Sequence, residues 1–267
     1  MMKHVNRLYV TLIFIFLYAP IAIMILFSFN NQRSLAKFTG FSLQWYVELF
    51  NNTKALNALY TTIYVALLST AVATVIGTLA AIGIHKMRPL ARSAVLNVSN
   101  IPILTPDIVT GISMMLLFVF GARLLNIKMG VMTMILAHIT FNIPYMILSV
   151  MPRLRQMNHS VYEAALDLGA SPAKAYKDVI IPEIMPGIIS GMLICISMSI
   201  DDFVISLFTS GPGVENLSMY IYTMKKRGVA PTANAISTII FVVVISLLLI
   251  VNLRKDASSP GEKKLRR

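Results

Sequence analysis

"SVYEAALDLGASPAKAYKDVIIPEIMPG", Ser160 to Gly187, stands between two long apolar runs, and its reading decides the fold. Ser160 followed by Glu163 has the spacing of a capping box, so a helix is expected to start at Val161. Val161, Ala164, Ala165 and Leu168 recur at helical spacing and make one apolar stripe. Gly169 is placed to stop that helix in the left-handed region. Ser171 then caps a second helix with Pro172 at its first position, and Pro182 is expected to end it. Two short helices joined by a Gly-Ala-Ser turn are marginal alone in water. Their stripe needs a covering surface, either the protein's own bundle or a separate partner.

The runs on either side are membrane spans by length and composition. A span needs about 20 apolar residues. Six segments qualify: Leu8–Phe29, Leu59–Ile84, Ala94–Phe120, Val131–Val150, Ile184–Thr209 and Ala235–Leu253. No Lys or Arg falls inside them, and Asp107, Asp201 and Asp202 are the only carboxylates that do. The first is too long for an ordinary signal-peptide core, and "LFSFNN" offers no small-residue cleavage site, so it reads as a retained span. The whole chain is 57% hydrophobic and 13% charged, about half the charged share of a soluble domain.

Net charge +12 raises the question of nucleic acid, but the charges lie in the gaps between apolar segments instead of on one basic face. That distribution is topological and excludes a DNA-binding reading. One side of the membrane collects 15 Lys and Arg: the N-terminus, "HKMRPLAR", the 151–183 loop and the tail. The other collects 8, so both termini and the 151–183 loop are expected on the cytoplasmic side. The expected organisation is a cytoplasmic N-terminus (1–7), a six-span domain (8–253) with the 151–183 loop, and a basic, disordered cytoplasmic tail (254–267).

Several chemistries are excluded. No glycine precedes a lysine, so there is no phosphate-binding loop of the Walker A kind and no ATP hydrolysis by this chain alone. The histidines at 4, 85, 138 and 159 show no metal-ligand spacing, and the single Cys195 rules out an internal disulfide. No metal or cofactor is expected. There is no internal repeat of the kind secondary carriers use.

Glu163-Ala164-Ala165, three residues, Gly169, nine residues, then Val179-Ile180-Ile181-Pro182 resembles the EAA motif of binding-protein-dependent ABC importer permeases. The family form is EAA, three residues, G, nine residues, I-x-L-P; Val179 and Ile181 depart from it conservatively. "GFSLQWY", "TPDIVTGISMMLLF", "AHITFNIPY" and "SIDDFVISLFTSGPG" extend the likeness to the spermidine/putrescine permeases, and among them to the PotC-type subunit. The resemblance implies an all-α membrane protein of six transmembrane helices with type I (MetI-like) importer architecture. It implies that Glu163, Ala164, Ala165, Gly169 and Pro182 belong to a coupling element that docks on an ATPase. It also implies the partners: a second, PotB-type permease, a PotA-type ATPase homodimer and an external PotD-type polyamine-binding protein, in a bacterial cytoplasmic membrane.

A polycation pathway needs carboxylates to replace hydration and aromatic faces for the ammonium groups. Asp107, between Pro102 and Pro106, sits roughly half-way along a span that the prolines are expected to break. Asp201 and Asp202 sit near the outer end of the fifth. Neighbouring helical residues point about 100° apart, so at most one of the pair is expected to meet substrate while the other bonds the scaffold. Each of these carboxylates has a structural reading too, as a cap or an interhelical hydrogen bond. Tyr222 stands where the family carries an aromatic near the outer gate, and Tyr220 reads as interfacial. Trp45 and Tyr46 are expected to anchor an interfacial helix. His138 and Asn142 share a face and fit buried interhelical hydrogen bonds better than a proton relay. "GIISG", 187–191, lets two helices approach closely and is expected to pack inside the permease pair.

Competing readings are import of another solute (an opine, iron or a phosphonate), a proton-coupled carrier using the three aspartates, and an acidic channel. The carrier differs in its energy source, and the channel leaves the EAA loop without a purpose.

Overall fold

The computed structural model describes residues 2–33, 37–125, 128–226, 228 and 230–257. In chain order its helices are α1 (Met2–Ser28), α2 (Gln44–Phe50), α3 (Thr53–His85), α4 (Pro89–Leu104), α5 (Asp107–Leu125) and α6 (Val131–Gln156). They continue as α7 (His159–Asp167), α8 (Pro172–Ala175), a π-helical segment (Tyr176–Ile180), α9 (Ile181–Asp201), α10 (Val204–Thr209), α11 (Leu217–Lys226) and α12 (Ala230–Ala257). Among the described residues the only β pairing is one bridge, Asn30 to Phe41. The expected all-α class holds.

Among the described residues four helical stretches are long and apolar enough to cross a membrane: Arg7–Ser28, Thr53–His85, Val131–Gln156 and Pro172–Asp201. A fifth crossing is available if α4 and α5, which meet at a 102° bend, act together. α12 contributes a further apolar stretch, Pro231–Ser246, among the residues whose side chains are described. Two compact units result, Met1–Asn57 with Tyr220–Arg267, and Ala58–Met219.

In the first unit α12 packs on α1 and α2. The connection from α1 to α2 is organised by the buried Asn30, whose amide donates to the Lys37 carbonyl at 2.9 Å and accepts from Thr39 N at 2.8 Å. Trp45 is 5% exposed and its indole N–H donates to the Asn30 carbonyl at 2.6 Å. Tyr46 pairs its hydroxyl with Ser28 at 2.8 Å and stacks on Phe29. These aromatics are therefore internal struts of the loop, which corrects the interfacial reading: a seven-residue helix with both polar tips satisfied internally has no need of the headgroups. Tyr220 is likewise buried, its hydroxyl accepting from Asn52 Nδ2 at 3.0 Å. The end of α12 carries 254–257 of the expected tail as helix; 258–267 lie outside the described residues.

In the second unit α6 and α9 form the main pair, with α3 against the same core. Small residues make this possible. A Cβ on Gly77 of α3 would lie 2.5 Å from Met146 Cβ, and one on Gly187 of α9 would lie 3.1 Å from the Ser149 carbonyl. Ser149 Oγ donates to the Gly187 carbonyl at 3.0 Å. The close approach that "GIISG" allows is made within this chain, against α6.

Three departures from regular helix shape the unit. Thr105, before Pro106, is extended (φ −82°, ψ 142°), as the proline ring requires, and there the chain turns between α4 and α5. Asp202 is extended (φ −63°, ψ 122°) and separates α9 from α10. The third corrects an expectation: Pro182 does not end a helix. It sits in the first turn of α9, and Pro172–Asp201 runs through as one 30-residue stretch. Ile181 N bonds to the Tyr176 carbonyl, five residues back, so the turn before the proline is widened to π geometry. A wide turn removes the clash that a proline ring makes in a tight one.

Candidate functional site

The second break places the adjacent aspartates differently. Asp202 Oδ2 accepts from Ser206 N at 2.7 Å and its Oδ1 from Ile205 N at 3.2 Å, so the carboxylate caps α10. His138 of α6 lies beside it, Nε2 to Oδ2 3.5 Å, and the same nitrogen is 3.0 Å from Ser206 Oγ. One turn on, Asn142 Nδ2 donates to Ser199 Oγ at 2.9 Å. His138 and Asn142 therefore make the buried interhelical bonds expected of them.

The carbonyls freed at the end of α9 are also taken up. Asn216 Nδ2 donates to the Asp202 carbonyl at 2.8 Å, and Asn216 Oδ1 accepts from Met219 N at 2.9 Å to cap α11. Ser218 Oγ lies 3.3 Å from the Ile200 carbonyl and 3.4 Å from that of Asp201. With its backbone held in this way, the Asp201 side chain is exposed, and among the described residues no hydrogen bond or ion pair engages its carboxylate. Asn216 and Ser218 are the positioning residues that sequence reading missed. The signal was faint: an Asn directly before the apolar-periodic "LSMYIY".

Asp107 is the first residue of α5, just past the 102° bend, and is exposed. The prolines break the span as expected, and Asp107 stands at that break between α4 and α5. Gly111, one turn further on the same face, carries the contact with α10: a Cβ there would lie 2.9 Å from Phe208 and 3.5 Å from the Val204 carbonyl. Asp107 and Asp201 each stand at a break, one at the start of α5 and the other just ahead of α10, the two helices that meet at Gly111. Tyr222 belongs to the other compact unit and is 54% exposed. It lies on α11, so it and the buried Tyr220 point apart.

The EAA segment forms α7 and α8. The cap of α7 is Asn158, whose side chain accepts from Ser160 N at 3.0 Å, and not Ser160 itself. The helix begins earlier than the capping-box reading placed it because an Asn two residues upstream closes an Asx turn first. Gly169 has φ +84°, and Gly169 N and Ala170 N bond back to the Leu166 and Ala165 carbonyls, a Schellman stop. Ser171 accepts from Lys174 N and Pro172 follows, as read from sequence. Val161, Glu163, Ala164, Leu168 and Gly169 are exposed and Ala165 half so, while Tyr162 turns inward onto the core. The apolar stripe is left uncovered by the chain's own bundle.

Comparison with known proteins gives the arrangement its family. Residues 73–264 match the binding-protein-dependent transport system inner membrane component. The chain is 36% identical over 243 residues to the spermidine/putrescine transport system permease protein PotC of Escherichia coli strain K12, covering 91% of this chain and 90% of that protein. It is 36% identical over 230 residues to the putrescine transport system permease protein PotI of the same strain, covering 85% and 82%. Among solved structures it superposes on a bacterial alginate ABC transporter in complex with an alginate pentasaccharide-bound periplasmic protein, with TM-score 0.73, 18% identity and 97% and 96% of the two chains. On the inward-facing MetNI methionine ABC transporter the TM-score is 0.58 at 19% identity, over 76% of this chain and 93% of that one. With an exposed EAA helix, broken apolar spans and these likenesses together, the chain belongs to the family of binding-protein-dependent transport system inner membrane components.

Proposed function

We propose that this protein is a permease subunit of an ATP-driven polyamine importer, forming half of the translocation pathway for spermidine or putrescine. The observation that carries the substrate class is the pair of exposed carboxylates, Asp107 and Asp201, each at a helix break within one compact unit. Each exposed carboxylate can replace part of the water an ammonium gives up, while the freed carbonyls at the break of α9 are held by Asn216 and Ser218. The substrates named for PotC and PotI support the same class. In this reading Asp107 and Asp201 meet the cation, Asp202 holds the break, and Tyr222 supplies an aromatic face near the outer end.

The uncovered stripe of α7, with Glu163, Ala164, Ala165 and Gly169, docks on a separate ATPase of PotA type, with Pro182 at the root of α9. A PotB-type permease completes the pathway and a PotD-type binding protein delivers substrate. Six spans, cytoplasmic termini and a cytoplasmic EAA loop belong to this reading, supported by the 15 against 8 distribution of basic residues.

The test is reconstitution of the chain with its three partners in vesicles, with ATP inside and labelled spermidine or putrescine outside. ATP-dependent uptake is expected. Uptake driven by an imposed proton gradient without ATP would assign a carrier instead, and ATP hydrolysis stimulated by a different solute would overturn the substrate class.

A further inference from the structure

Lys86 stands in the turn after α3, and its Nζ lies over the Tyr176 ring, 4.6 Å from the centroid. Tyr176 opens the π segment, and its ring meets that of Tyr162 of α7 at 5.4 Å with a 58° tilt. Both rings pack on the core cluster that includes Ile84 near the end of α3, Met157 and Ile180. One ammonium and two rings thus join three elements: the end of α3, the EAA helix and the root of α9.

This junction lies opposite the exposed stripe of α7. Val161, Ala164 and Leu168 face outward, and Leu168 is 89% exposed, so Tyr162 is the aromatic hold of α7 on the bundle. A cation over a ring face is attracted along the ring normal and tolerates tilting. It can therefore transmit a pull without demanding one rigid geometry. The Tyr176 hydroxyl beside Lys86 raises the lysine pKa above its ordinary value of 10.5, with slight desolvation opposing. The raised value means the contact is fully present at lower pH and is lost only as pH climbs past it.

We propose that Lys86, Tyr176 and Tyr162 form a latch that delivers movement of the EAA helix to the α3 span, with Lys86 the positioning residue. The latch rests on the reading of α7 as the ATPase-docking helix. It turns one docked helix into a lever on two spans, α9 through the π turn and α3 through the ammonium.

The experiment uses the assembled transporter in vesicles and reads ATP hydrolysed per spermidine imported. Lys86→Met is expected to raise that ratio by about threefold or more, while the amount of ATPase bound to the permease stays unchanged. Lys86→Arg keeps it near the parent value, because a guanidinium also stacks on tyrosine. Tyr176→Phe keeps the ring and the coupling; Tyr176→Leu loses both. An unchanged ratio in Lys86→Met and Tyr176→Leu overturns the latch. If the parent transporter imports no polyamine, the proposed function fails, and the latch is judged by a substrate-independent measurement. Nitroxide labels on cysteines at Met87 and Asp167, both exposed, avoid the buried Cys195. Lys86→Met should broaden the distance distribution between them; identical distributions overturn the latch.

Discussion

His138 Nε2 lies 3.5 Å from Asp202 Oδ2, and the pair sits where α9 gives way to α10. Asp202 also caps α10, so its oxygens are committed to the scaffold, while Asp201 beside it is exposed. Two adjacent residues of one type are divided by an extended backbone step at Asp202.

That division predicts different outcomes for the two. Asp202→Ala removes two backbone hydrogen bonds and should cost roughly 1–2 kcal/mol, the range for a lost cap, read as a lower thermal midpoint of the purified protein. Asp202→Asn keeps a capping oxygen and should transport at near-parent rates.

Asp201→Asn and Asp107→Asn should leave the thermal midpoint in place and lower polyamine uptake by about tenfold or more, equivalent to roughly 1.4 kcal/mol of lost cation binding. Uptake at the parent level in Asp107→Asn, with assembly intact, would remove that residue from the pathway.

Asn216 joins two jobs, donating to the Asp202 carbonyl and capping α11. Asn216→Ser retains a good cap but is too short to reach the carbonyl. It should raise the spermidine concentration for half-maximal uptake and lower the thermal midpoint modestly, whereas Asn216→Leu, which loses the cap as well, should lower the midpoint clearly more.

Gly77 and Gly191 both face Met146, yet a Cβ at the first meets Met146 Cβ at 2.5 Å and at the second meets the flexible Sδ at 2.6 Å. Gly77→Ala should therefore destabilise by about 1–3 kcal/mol, measured by thermal unfolding in detergent. Gly191→Ala should cost clearly less, because the thioether can swing aside.

On α7, Ala164→Asp places a charge on the exposed stripe at no folding cost. It should abolish co-purification of the ATPase and leave the thermal midpoint unchanged. Retained co-purification would show that this face is not the docking surface.

What could be read from the residues alone follows from local physics. The apolar runs, the proline break before Asp107, the Gly169 stop and the Ser171-Pro172 start are legible because each depends on one segment's own backbone and solvation. The EAA spacing is legible for the same reason, since its glycine and cap must fall at set intervals along one chain.

The tertiary structure decided everything that depends on which surface meets which. Pro182 does not terminate its helix because a π turn absorbs the ring. Trp45 and Tyr220 are internal because Asn30 and Asn52 reach their polar tips from elsewhere in the chain. Glycines at 187 and 191 pack against α6 of the same chain. The aspartate pair is divided because Ser206 and Ile205 offer backbone N–H groups to one carboxylate, with His138 arriving from a helix some 60 residues earlier. Sequence sets how much apolar surface and charge each segment carries, and thereby that it lies in a membrane. Which of the two aspartates is left exposed is set partly by Asp202 capping its own next turn through Ile205 and Ser206, and partly by His138, Asn216 and Ser218 reaching the break from other helices, which no local pattern encodes.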